Sequence, residues 1–196
     1  MHIVQRPSSG DRRAEAQDEL ALLDRIAAED HTAFDALYRA YQPRLKRFIG
    51  GMTHRPGLVE EVLDDTMMVV WRKAPSYNGE AKVSTWIFAI AYRQTLKALR
   101  RREATVEWDQ AGSADEQAPG PEVALQQQEL QHHLDRALAG LSAEQRAVIE
   151  LTYYLGYACR EIAQIMGCPV DTVKTRMFYA RRKLKVLLAL KQEEAI

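Results

Sequence analysis

Apolar residues recur at steps of three and four along almost the whole chain, and no stretch alternates apolar and polar residues as a half-buried strand would. The exception is the segment 103–122, which has neither period. It is rich in Gly, Pro and acidic side chains, so it reads as a flexible linker between two helical blocks. The fold class is therefore all-α. Two helical domains are expected, over 18–102 and 123–196, with the acidic linker 103–122 between them. The polar residues 1–17, with Pro7 and Gly10, read as a disordered tail.

Within the first block, Leu22, Leu23 and Ile26 lead into Phe34, Leu37, Tyr38 and Tyr41. Pro43 fits the first turn of a further helix, and Gly50, Gly51, Pro56 and Gly57 read as the next connection. A helix from Leu58 to Ala74 is followed by a turn at Ser76–Gly79 and a helix over 83–101. In the second block a helix over 123–139 stops at Gly140. Ser142 with Gln145 three residues on makes a capping box that opens a helix running to Leu155.

Net charge looks uninformative, with 27 Lys and Arg against 27 Asp and Glu. The local sums are not. Segment 93–102 carries +5, segment 103–129 carries −7 and segment 171–185 carries +5. Two basic helical segments on either side of an acidic stretch point to a polyanionic partner, against the bland reading that each is a solvated helix face. No run of apolar residues approaches a membrane span, and the polar first 20 residues hold no secretory signal. Two cysteines make no disulfide framework, so a cytoplasmic setting is expected. Cys159 and Cys168 lack a matching His cluster, so neither a metal nor any other cofactor is expected. His132 and His133 point different ways on one helix and read as surface residues. A Gly-rich phosphate loop, HExxH and GxSxG are all missing, which argues against an enzyme.

The second block has the order of a helix-turn-helix. Ile162, Ala163 and Ile165 form a short apolar face, Met166-Gly167 turns the chain, and Pro169 and Asp171 open the next helix. Val173, Met177, Ala180, Leu184 and Leu187 make its core stripe. Thr172, Lys174, Thr175, Arg176, Tyr179, Arg182 and Lys183 lie off that stripe and suit duplex DNA, Arg for guanine edges and Thr and Lys for phosphate. The competing reading is an αα-hairpin with a basic outer face.

In the first block, Val59, Val62, Leu63, Thr66, Val69 and Val70 can face a core. Asp64, Asp65, Met68, Trp71 and Arg72 then fall opposite, as a protein interface. Trp71 as a cap on a small core is the alternative. Tyr77, Asn78, Lys82, Ser84 and Thr85, with Arg93, Lys97, Arg100 and Arg101 further along, suit unstacked bases and their phosphates. For Trp86, core packing is the simpler role.

The segments VLDDTMMVVWRKAPSYNGEAKVSTWIFAIAYRQTLKALRRR and LSAEQRAVIELTYYLGYACREIAQIMGCPVDTVKTRMFYARRKL resemble the extracytoplasmic-function (ECF) group of bacterial sigma factors, small members of the primary sigma factor family. The resemblance covers residues 20–102 and 123–190. It implies a subunit that binds core RNA polymerase, directs it to promoter DNA and helps to open it, without bond chemistry of its own. The helix with Asp64, Asp65, Trp71 and Arg72 would dock on polymerase, Tyr77 to Arg102 would read the minus 10 element, and Asp171 to Lys185 the minus 35 element. The acidic linker would thread towards the RNA path, and an anti-sigma factor would hold the protein inactive until stress releases it. Two departures stand out. Arg93 and Lys97 replace the Asn and Asp frequent in the group, and Ala158 replaces a usual Ser or Thr cap. A stand-alone helix-turn-helix regulator is the alternative function.

Overall fold

The computed structural model describes residues 9–53, 55–106 and 137–193, which are helical and, among these residues, without strands. Four helices form the first unit: α1 (Ser9–Ala27), α2 (His31–Thr53), α3 (Pro56–Lys73) and α4 (Val83–Val106), with a short 3-10 turn at Ala74–Ser76 after α3. The second unit has α5 (Ala143–Ile149), a π turn (Glu150–Tyr154), α6 (Cys159–Met166) and α7 (Val170–Glu193).

Helix α1 begins at Ser9, inside the stretch expected to be tail. Ala14, Glu15, Ala16 and Gln17 have high helix propensity and carry the helix back without an apolar stripe to betray it. Helix α2 is continuous through Pro43, Gly50 and Gly51, all expected to mark breaks. Pro43 sits on the exposed side, while Leu37, Tyr41, Leu45, Phe48, Ile49 and Met52 form an unbroken buried stripe. Burying that stripe outweighs the hydrogen bond that proline forfeits, a cost of about 3 kcal/mol. Asp30 fixes the start of α2. Its Oδ1 accepts the Thr32 N–H at 2.8 Å and the Ala33 N–H at 3.2 Å, and its Oδ2 accepts from Arg25 at 2.7 Å.

The box at Ser142 forms as expected: Ser142 Oγ accepts the Gln145 N–H and Gln145 Oε1 accepts the Ser142 N–H. The helix it opens ends sooner than expected, at Ile149. The π turn that follows directs Glu150 and Leu151 inward and leaves Tyr153 and Tyr154 exposed.

The two units share one buried cluster. Leu45, Phe48 and Phe88 of the first unit and Val148, Leu151, Ile162 and Ile165 of the second all belong to it. Helix α4 lies against α6, and the C-terminal half of α2 against α5 and the π turn. Tyr157 is the anchor between them. Its ring meets Phe88 edge-on at 5.5 Å, and its hydroxyl accepts from Arg44 at 3.5 Å. Arg146 crosses the junction, donating from Nε to the Met52 carbonyl at 2.9 Å and from Nη1 to the Leu141 carbonyl at 2.7 Å. Residues 107–136 lie outside the described residues, and with them most of the acidic linker, the helix expected over 123–139 as far as 136, and His132 and His133.

Candidate nucleic-acid and polymerase interfaces

The turn before α7 is built as its sequence suggests. Gly167 adopts φ 62°, the left-handed region where glycine carries no side-chain penalty. The Cys168 N–H then reaches the Ala163 carbonyl at 3.1 Å, closing α6. The Pro169 carbonyl accepts from Thr172 at 3.0 Å and starts α7. Val173, Met177 and Ala180 are buried and Leu184 and Leu187 half-buried, so the stripe faces the core. Lys174, Thr175, Tyr179, Arg182 and Lys183 are exposed on the outer side. Thr172 and Arg176 are half-buried, with the Arg176 guanidinium 3.6 Å from Cys168 Sγ. Asp171 pairs with Lys174 at 2.9 Å, a contact that raises the lysine's pKa chiefly through the hydrogen bond.

One residue of this face is new. Phe178 is 61% exposed, edge-on to Tyr179 at 5.5 Å and one turn from Thr175 and Arg182. The signal was present in the sequence: Phe178 falls between the core positions Met177 and Ala180, off their stripe.

Along α4, Arg93, Lys97 and Arg100 are exposed, and Arg101, also exposed, pairs with Glu61 of α3. Nearer its start, Tyr77 is half-buried, edge-on to Trp86 at 5.4 Å, and donates to the Ala81 carbonyl. Asn78 Oδ1 accepts the Glu80 N–H at 3.2 Å and shapes the loop. Lys82 pairs with Glu161 of α6 at 2.7 Å. Ser84 is half-buried. Thr85 is not available to DNA in this arrangement. It is 1% exposed and its hydroxyl has no hydrogen-bond partner. Helix α4 is packed by α1, α2 and α3 of its own unit and by α6 of the second.

On α3, Val62, Leu63, Thr66 and Val70 are buried, while Asp64, Asp65, Met68 and Arg72 are exposed. Trp71 is half-buried, stacked on His31 at 4.8 Å and edge-on to Phe34 at 5.2 Å. It therefore packs the start of α2 while keeping part of its surface beside Met68. Cys159 is exposed and Cys168 half-buried, and both are free thiols.

Two family models match the chain, Sigma-70 region 2 over residues 37–105 and Sigma-70, region 4 over 132–184. The ECF RNA polymerase sigma factor RpoE of Cereibacter sphaeroides is 31% identical, over 88% of this chain and 96% of its own length. The ECF RNA polymerase sigma factor SigL of Mycobacterium tuberculosis is 30% identical, over 86% and 96%. Among solved structures, the sigma factor RpoE of Bartonella quintana, in complex with the anti-sigma factor NepR, aligns with a TM-score of 0.65. It is 27% identical, over 80% of this chain and 96% of that one. CnrH, in complex with the cytosolic domain of CnrY, aligns with a TM-score of 0.67 at 22% identity, over 88% and 98%, a likeness of fold. With both helical units matched in order and the relatives aligned along nearly their full length, the chain belongs to the ECF RNA polymerase sigma factors.

Proposed function

We propose that the chain works in the cytoplasm as a dissociable subunit of RNA polymerase. It binds the core enzyme, selects promoters and assists their opening, with no bond chemistry of its own. The observation that carries this reading is the outer face of α7, where exposed cations flank Thr175, Tyr179 and Phe178 on the second helix of a helix-turn-helix. In the major groove Arg176 and Arg182 suit guanine edges, the Phe178 ring suits a thymine methyl, and Lys174 and Lys183 suit phosphates. This unit, residues 123–196, takes the minus 35 element.

The unit 18–102 takes the minus 10 element through Tyr77, Asn78, Lys82, Ser84 and the row Arg93, Lys97, Arg100 and Arg101. Asp64, Asp65, Met68, Trp71 and Arg72 are assigned to the core enzyme. The RpoE structure from Bartonella quintana is a complex with an anti-sigma factor, which supports an inhibitor of that kind here.

Transcription from a cognate promoter by purified core polymerase, with and without the protein, tests the reading. Specific initiation is expected only with it; tight binding to duplex promoter without added initiation would sink it. Met68→Asp is the cleaner probe of the polymerase face, because Met68 is exposed whereas Trp71 also packs α2. It is expected to weaken core association at least tenfold, with thermal stability unchanged.

A further inference from the structure

We propose that Glu150 is a proton-operated latch between the two units: with its carboxyl neutral it seats on α2 and holds them closed, and as the carboxylate it releases them. Glu150 opens the π turn, is 6% exposed and lies flat on the α2 backbone at Gly51. A Cβ added to Gly51 would stand 2.5 Å from the Glu150 carboxyl carbon. Glycine weakens a helix interior, and α2 tolerates it where the other unit's carboxyl needs the space.

Among the described residues, Arg47 of α2 is the charged group whose field on Glu150 is resolved, and its guanidinium also lies 3.9 Å over the Tyr154 ring. From α5, Arg146 is turned to the Met52 carbonyl, and from α6, Glu161 is joined to Lys82. Burial pushes the Glu150 carboxyl up from 4.5 to about 7, with Arg47 opposing. When the units part, the carboxyl returns to water and to its ordinary value. A group whose closed-state pKa is raised favours closure fully below the open-state value, and that favour drains away as pH climbs to the closed-state value. Closure is thus strongest below about pH 4.5, weakens up to about pH 7 and is constant above it. Over that window the closed-to-open ratio falls by roughly a hundredfold.

The latch is a property of the chain alone; its consequence for promoters rests on the function proposed above. Elements named minus 10 and minus 35 lie about 25 base pairs apart, roughly 85 Å of duplex. A folded chain of this size has a radius of gyration of only about 16 Å. The closed chain cannot reach both. It also buries Thr85, pairs Lys82 and holds Arg176 close enough to α4 for its charge to act on the Tyr92 hydroxyl.

Small-angle X-ray scattering of the full chain from pH 4.5 to 8, with circular dichroism to verify helix content, tests the latch. The wild type is expected to expand as pH rises, levelling near pH 7. Glu150→Gln, neutral at every pH, is expected to stay compact. Gly51→Ala, which displaces the Glu150 carboxyl from its seat, is expected to flatten the pH dependence of the radius. A wild-type radius that ignores pH, a Glu150→Gln variant that expands like wild type, or a Gly51→Ala variant that keeps the wild-type pH dependence would each overturn it. Failure to support initiation with core polymerase would count against the sigma reading and leave the scattering result standing.

Discussion

Glu29, between α1 and α2, is a non-glycine residue at φ 63°. It occupies the left-handed position of a helix stop, with the Asp30 N–H returning to the Arg25 carbonyl at 3.1 Å and the Glu29 N–H to the Ile26 carbonyl at 2.9 Å. Left-handed backbone costs an L-residue roughly 1–2 kcal/mol, part of which glycine's greater freedom in the unfolded chain takes back. Glu29→Gly is expected to stabilise the protein by about 1 kcal/mol, raising the melting temperature by about 2–4 °C in a calorimetric scan. Asp30, next in the chain, binds so many donors that its carboxyl is held well below the usual carboxylate range, the Thr32 hydroxyl and Arg25 contributing most. The stability it lends is present above the ordinary carboxylate pKa and is lost only as pH falls below it. Phe178 was legible by the same stripe arithmetic that found its neighbours, whereas Glu29 was not, since nothing in a glutamate signals positive φ.

The helix start at Ser142, the helix stop at Gly167 and the core stripes were the legible part of the elements. The Ser142 box, the left-handed Gly167 and the buried run Val173, Met177 and Ala180 follow from neighbours within one or two turns, which is the range a sequence pattern covers. Pro43, Gly50 and Gly51 misled for the opposite reason. Each is a local signal for a break, and α2 overrides them with a stripe packed against four other helices. At α6 the missing cap is visible in the geometry. Ala158 has extended φ −74° and ψ 153°, and its N–H is bound by Glu161 Oε2 at 2.9 Å, but it offers no side-chain acceptor in return. Ala158→Ser completes the box and is expected to gain about 1 kcal/mol, read as a higher urea midpoint at unchanged slope.

At the scale of the molecule, local charge sums pointed to the two basic faces, but no pattern in the chain announced that α4 and α6 would cover one another. That pairing depends on residues some 70 positions apart, such as Phe88 with Tyr157, and on a glycine whose purpose is the glutamate opposite. Thr85, a credible base contact on its own helix, is buried in this arrangement. With one cluster spanning both units, calorimetry at pH 5 is expected to give a single cooperative transition.

Arg146 has a separate consequence. Its half-buried guanidinium supplies the Met52 carbonyl, at the C-terminal end of α2, and two carbonyls just ahead of its own helix, those of Leu141 and Ala139. Arg146 therefore supplies helix-end carbonyls on both sides of the junction, one in the first unit and two in its own. Parting the units would leave the Met52 carbonyl to water while the other two keep their donor, so the cost of separation falls on the end of α2 alone.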